Sequence, residues 1–132
     1  MQTVCLMKKY LTISTSAELV RIAPESIVCI TSDGNYSTIC QADGGERTVT
    51  FQLGQIEALI NSQLGSEGSV FVRIGRSIIV NRSFIYYINP QKQRLVLSDA
   101  KSITREVSAS KEALKSLKEL LEKEIENNET VG

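Results

Sequence analysis

The sequence predicts a mainly β protein of antiparallel strands with one short internal helix and one C-terminal helix. Three observations lead there. Short runs rich in Ile, Val, Thr and Tyr recur along the chain, and such residues suit a pleated, half-buried surface. Asp-Gly pairs separate several of these runs, and they favour the positive φ angles of tight hairpin turns. Only two stretches change to the three- and four-residue spacing of an amphipathic helix.

Taken in order, "YLTIST" (10–15) and "ELVRIA" (18–23) read as the first two strands. "SIVCITS" (26–32), "NYSTICQA" (35–42) and "ERTVTFQ" (46–52) follow, joined by Asp33-Gly34 and by Asp43-Gly44-Gly45, which predicts a meander. In "LGQIEALINSQL" the apolar residues Leu53, Ile56, Ile60 and Leu64 lie on one helical face. "GSEG" (65–68) ends that helix with two glycines. Strands resume at "VFVRIG" (70–75), "SIIV" (77–80), "IYYIN" (85–89), "RLVLS" (94–98) and "SITREV" (102–107), with "PQKQ" as a turn. From Ser108 or Ser110 onward, Leu114, Leu117, Leu121 and Ile125 form the stripe of a docking helix. Ser110 is its expected N-cap, and Glu119 with Lys123 its expected i,i+4 pair. The last residues, "ENNETVG", are expected to fray.

A chain of 132 residues is the size of one domain, and 42% hydrophobic residues can fill one core without a staple. The division expected is an N-terminal extension (1–9), a domain (10–121), and a helix end with an acidic tail (122–132). No apolar run approaches the roughly 20 residues that span a bilayer. The N-terminal lysines follow the short apolar patch, the wrong order for a secretory signal. The reading is a cytoplasmic protein. Cys5, Cys29 and Cys40 are odd in number and lack a Cys-x-x-Cys pattern, and there is no histidine. That removes the usual zinc sites, the Cys-His and Ser-His nucleophile pairs and the commonest general base. Cys29 and Cys40 read as buried structural thiols. No catalytic residue, metal ligand or cofactor site is expected.

The formal net charge is zero, but its distribution is uneven. Between Phe71 and Arg105 stand Arg73, Arg76, Arg82, Lys92, Arg94, Lys101 and Arg105 against the single acid Asp99. From Glu106 onward seven glutamates outnumber four lysines. A basic half beside an acidic tail is a footprint for a polyanion, or else a set of cations scattered over both faces of the strands.

The ordered set of segments resembles the LytTR-type DNA-binding domain of bacterial transcription regulators. "SIVCITSDGNYSTI" is similar to the family's isoleucine-led strand, turn and Asn-Tyr strand, and "LGQIEALI" to its short helix. "FVRIGRSIIVN" is similar to its signature stretch, with Phe71, Arg73, Arg76, Ser77, Val80 and Asn81 matching. "IYYINPQKQRLVLSDAKSITREVS" and "ASKEALKSLKELL" are similar to its closing strands and last helix, so that residues 10–121 are covered. The resemblance implies an elongated fold of small antiparallel sheets. It implies double-stranded DNA as partner, read in the major groove through loops, and a homodimer or a partner regulator as further company. The chain begins nine residues before the domain, which reads as a stand-alone copy. Carried over by position, the resemblance marks Asn35, Arg76 and the stretch Ser108–Ala109.

Residue chemistry agrees in part. Asn and Arg suit the edges of adenine and guanine, each through two hydrogen bonds, which makes Asn35 and Arg76 the base-contact candidates. Arg73, Arg82, Lys92, Lys101, Arg105 and Ser108 are the phosphate-contact candidates. Bland readings stand beside these. Asn35 suits a turn after Gly34; Tyr36 and Phe71 suit the core; Asn81 suits a cap for the turn "RSF"; Arg73 suits an ion pair with Asp99 or Glu106. The signature often has histidine where this chain has Gly75, and arginine is common where it has Ala109. Two functions therefore remain open: a sequence-specific regulator, and a degenerate protein-interaction module without specific DNA binding.

Overall fold

A computed structural model describes residues 9–101 and 103–131, with backbone alone for 126–131. The order of elements is β1 (Leu11–Ser14), β2 (Leu19–Ile22), β3 (Ile27–Asp33), β4 (Tyr36–Gln41), β5 (Glu46–Val49), α1 (Leu53–Leu64), β6 (Phe71–Ile74), β7 (Ile78–Asn81), β8 (Ile85–Asn89), β9 (Arg94–Ser98), β10 (Thr104–Ser108) and α2 (Lys111–Val131). The fold is mainly β, as expected. All strands pair antiparallel, in a two-stranded sheet β1-β2, a central sheet ordered β5-β4-β3-β7-β6, and a third sheet ordered β10-β9-β8. The expected meander is β3-β4-β5; β1 and β2 pair with each other.

Two cores lie on opposite faces of the central sheet. One joins Ile27, Ile30, Ile39 and Ile79 to Leu11 and Ile13 of β1 and to Leu53, Ile56, Ile60 and Leu64 of α1. The other joins Val28, Cys29, Cys40, Ile78 and Val80 to Leu95 and Leu97 of β9 and to Leu114 and Leu117 of α2. The stretches Ile27–Ile30 and Ile78–Asn81 are buried residue after residue. Their uninterrupted apolar runs follow from that, because a strand covered on both faces has no solvent side for polar residues. Asn81 is the polar exception, and both ends of its amide are used. Its Oδ1 accepts from Ser83 N at 2.9 Å, the expected cap of Arg82–Phe84, and its Nδ2 donates to Ile27 O at 2.9 Å.

Cys29 and Cys40 are buried and face each other across β3 and β4. Their hydrogen bond holds the Cys40 thiol below its usual range and pushes that of Cys29 well up, with burial adding to the latter. Cys5 and the rest of the expected N-terminal extension lie outside the described residues, except Lys9.

Several local expectations change. The internal helix ends at Leu64 but the chain stays coiled as a 3-10 turn over Gly65–Val70, so β6 begins at Phe71. Tyr36 is 52% exposed rather than core, because the two-residue alternation of β4 turns Ser37 and Ile39 inward. Phe71 is half-buried against the first core. Ser110 caps α2 as expected, accepting from Ala113 N at 3.1 Å. The i,i+4 pair that forms is Lys118 with Glu122, at 2.7 Å. Leu114 and Leu117 are buried and Leu121 packs against the same core, whereas Ile125 is 56% exposed, past the end of the sheet's cover. The backbone of the expected fraying tail is helical through Val131; its side chains and Gly132 lie outside the described residues.

Leu117 is 3% exposed, so Leu117→Ala is expected to destabilise the fold by about 2–5 kcal/mol in denaturant unfolding. Leu120→Ala, on the exposed side of the same helix, is expected to stay within about 0.5 kcal/mol of the parent.

Candidate nucleic-acid interface

Antiparallel register brings four connections to one end of the central sheet. β3 and β7 pair through Thr31 and Ile78, so the end of β3 lies beside the start of β7, and Ser32 N donates to Ser77 O at 2.9 Å. The turn after β3 and the turn before β7 are therefore neighbours. β4 and β5 pair Ser37 with Val49 at the same end, and Ser37 Oγ donates to Phe51 O at 2.7 Å, which brings in the start of α1. Residues 74–78 share a cleft with Ser108, Ala109 and Ser110, which adds the junction of β10 and α2. A second cleft on the other side of the same turn is lined by Arg73, Arg76, Ser77, Gly34, Gln52 and Gly54, among others.

The β3–β4 hairpin closes through Gly34 and Asn35, with Asp33 and Tyr36 as the last pair. Gly34 has φ +70 and takes the positive dihedral of the turn; Asn35 is absent from the left-handed region. The turn's backbone thus leaves the identity of residue 35 open. Its side chain is exposed, and its Oδ1 accepts from Gln52 Nε2 at 3.2 Å. The β6–β7 turn is Gly75, Arg76 and Ser77, closed by the pair Ile74 and Ile78. Gly75 has φ +63, which bends the chain out of the strand and separates Arg76 from Arg73. Arg76 is exposed at the tip, and no carboxylate of the described residues pairs with it.

The remaining cations divide by position and by partner. Arg73 donates from Nη1 to Glu57 Oε1 at 2.8 Å and from Nη2 to the Arg76 carbonyl at 3.3 Å. Its acid is therefore on α1 and is neither Asp99 nor Glu106. Glu106 instead takes two bonds from Arg94, at 2.7 and 3.1 Å, which hold its carboxyl below and the guanidinium above their usual ranges. Arg82 pairs with Glu124 of α2, and Arg105 with Glu46 of β5 at 2.7 Å. Bonding to Glu46 holds the Arg105 guanidinium above its usual range. Lys92 sits in the β8–β9 turn, beside the end of β10 where Ser108 Oγ donates to Gln93 O at 3.5 Å. Lys101 precedes β10, about 16 Å away along that strand.

One end of the molecule thus gathers Asn35, Arg73, Arg76, Lys92 and Ser108. Arg82, Lys101 and Arg105 lie toward the other end. Three exposed residues at the gathering end are not among the sequence-predicted site residues: Tyr36, Gln52 and Lys111. The run "ERTVTFQ" makes Gln52 a strand end by sequence, whereas in the structure it opens α1, just before the helical spacing of Leu53 and Ile56. The arrangement presents amides, hydroxyls and cations on short turns. Among the described residues no group of His, Cys, Asp or Glu could hold a metal ion, and no helix is long and apolar enough to cross a membrane.

Comparison with known proteins gives the same fold. The sequence profile of the LytTr DNA-binding domain matches residues 17–122. A solved LytTr DNA-binding domain from Bacillus cereus is similar in structure, with a TM-score of 0.61 and 21% identity over 86% of this chain and 97% of that one. No curated protein matches the sequence.

An added Cβ at Gly75 would meet no atom within 4 Å, so Gly75→Ala tests the backbone alone. It is expected to cost about 1–2 kcal/mol in chemical denaturation, the penalty of a left-handed dihedral for a residue with a side chain.

Proposed function

The chain belongs to the LytTR DNA-binding domain family, and from that premise we propose that it is a sequence-specific reader of double-stranded DNA in transcription regulation, offering loops to the major groove. The observation that carries this reading is Arg76: an exposed guanidinium, without a carboxylate partner among the described residues, at the tip of a turn flanked by the Asn35 turn and by Ser108–Ser110. Such a fork matches the O6 and N7 acceptors of guanine, and Asn35 matches the N6 and N7 of adenine. Both helices cover the cores with their apolar faces, which supports loops as the reading elements.

Lys92 and Ser108 are the nearest phosphate contacts to that tip, with Lys111 added to them, and Arg73 borders it. Arg82, Lys101 and Arg105 serve as phosphate contacts only where the duplex extends past the reading end. Arg82 and Arg105 would also have to share or release a glutamate, which lowers their gain from a phosphate. Gly75 and Ala109 leave the two flanking positions without a polar side chain, so the recognised sequence is read by fewer groups than the signature usually supplies. A second reading, an interaction module for a second copy or a partner regulator, rests on the exposed Leu120 and Ile125 of α2. Salt dependence separates the two.

With Arg76 on a base, the two cations at the reading end left for phosphates and without carboxylate partners among the described residues (Lys92 and Lys111) give an expected slope of log affinity against log salt of about −2. A slope near zero in a gel-shift titration contradicts DNA binding of this kind. Arg76→Ala is expected to lose about 1–3 kcal/mol of specific binding and to relax preference at one base pair. Competition among point-mutated duplexes measures it, and an unchanged preference at every position removes Arg76 as a base reader.

A further inference from the structure

We propose that Glu57 and Arg73 are positioning residues that set the specificity of the Arg76 turn without contacting DNA themselves. The inference rests on Arg76 being a base reader. Arg73 bridges two elements: one nitrogen donates to the Glu57 carboxylate on α1 and another to the Arg76 carbonyl in the turn. The turn needs such a tether. Space around Gly75 is open, its φ is +63, and Arg76 and Ser77 are exposed, so side-chain packing does not fix it. Beyond the Ile74–Ile78 pair at its base, a further restraint is the Ser32 amide on the Ser77 carbonyl at 2.9 Å. Arg73 thus ties the middle of the turn to a helix, and Glu57 orients the guanidinium that does it. The first turn of α1 is close by, an added Cβ at Gly54 lying 3.9 Å from Arg73 Nη1.

The geometry makes a prediction opposite in sign to simple electrostatics. Glu57 is an acid beside a face proposed to meet phosphates. Removing a negative charge there should raise affinity for every duplex alike if Glu57 only repels DNA. A positioning role instead lowers the ratio of specific to non-specific binding, because a mis-set Arg76 loses its two-point fit while phosphate contacts survive. Arg73 is separable in the same way. Lysine keeps the charge and can serve a phosphate, but its single ammonium lacks the planar fork that reaches carboxylate and carbonyl together.

The experiment measures binding of the parent, Glu57→Gln, Arg73→Lys and Arg76→Ala to a duplex selected from a random library and to an unselected duplex. It is repeated at several salt concentrations. Glu57→Gln and Arg73→Lys are each expected to lower the specificity ratio about tenfold, the worth of a hydrogen bond to a charged group, with the salt slope kept. Combined with Arg76→Ala, neither should lower the ratio further. The proposal is overturned if Arg73→Lys keeps the parent ratio, or if Glu57→Gln strengthens both duplexes by the same factor. If Arg76→Ala itself leaves the ratio intact, the base-reading assignment fails first. A measurement without DNA covers altered folding: amide NMR signals of Arg76 and Ser77 should move in Glu57→Gln while those of the buried Ile30 and Ile79 stay. Unmoved turn signals also overturn the proposal.

Discussion

Burial of β3 and β7 on both faces is the constraint from which the other features follow. Two adjacent strands that bear a core on each side can carry almost nothing polar, and Ile27–Ile30 and Ile78–Val80 obey that. The buried side-chain amide of Asn81 is tolerated there because both its oxygen and its nitrogen are bonded. Polar function is thereby pushed to the strand ends. Antiparallel pairing puts the end of β3 beside the start of β7, so one rim of the sheet receives the Gly34-Asn35 turn and the Gly75-Arg76-Ser77 turn side by side. Each helix has its apolar face committed to one of the two cores. What remains for a ligand is a rim of turns.

The same constraint governs the electrostatics. A run of seven cations between residues 71 and 105 reads in sequence either as one basic surface or as cations scattered over both faces of the strands. Folding gives four of them glutamate partners: Arg73 with Glu57, Arg82 with Glu124, Arg94 with Glu106, and Arg105 with Glu46. These pairs are at least partly exposed, so each adds little to stability. They engage Arg82 and Arg105 away from the rim and Arg73 at its border, while Arg76 and Lys92 at the rim, and Lys101 away from it, have no carboxylate partner among the described residues. A protein of zero net charge can meet DNA on such a rim without a strongly basic surface elsewhere.

Most of the fold was legible because the signals were local. Strand periodicity, the Asp33-Gly34 hairpin, the helical spacing of Leu53, Ile56 and Ile60, and the Ser110 cap each involve residues within a few positions. The ion pairs were not legible, since Arg73, Arg82 and Arg105 find partners 16, 42 and 59 residues away. Tyr36 was misplaced because a tyrosine in a strand-like run gives no sign of which face it takes at a hairpin's end. For the site, Asn35 and Arg76 could be named from residue chemistry and resemblance. Their proximity, the bond of Gln52 to Asn35 and that of Arg73 to the Arg76 carbonyl depend on the pairing of strands distant in sequence.

On the proposed function, four connections at one rim form a single DNA-facing surface. Amide chemical-shift changes during titration with a selected duplex test it most directly. Gly34, Asn35, Gln52, Arg76, Ser77 and Ser108 are expected to shift together and to saturate at one stoichiometry. Shifts confined to α2 around Leu120 and Ile125, with the rim silent, would contradict it.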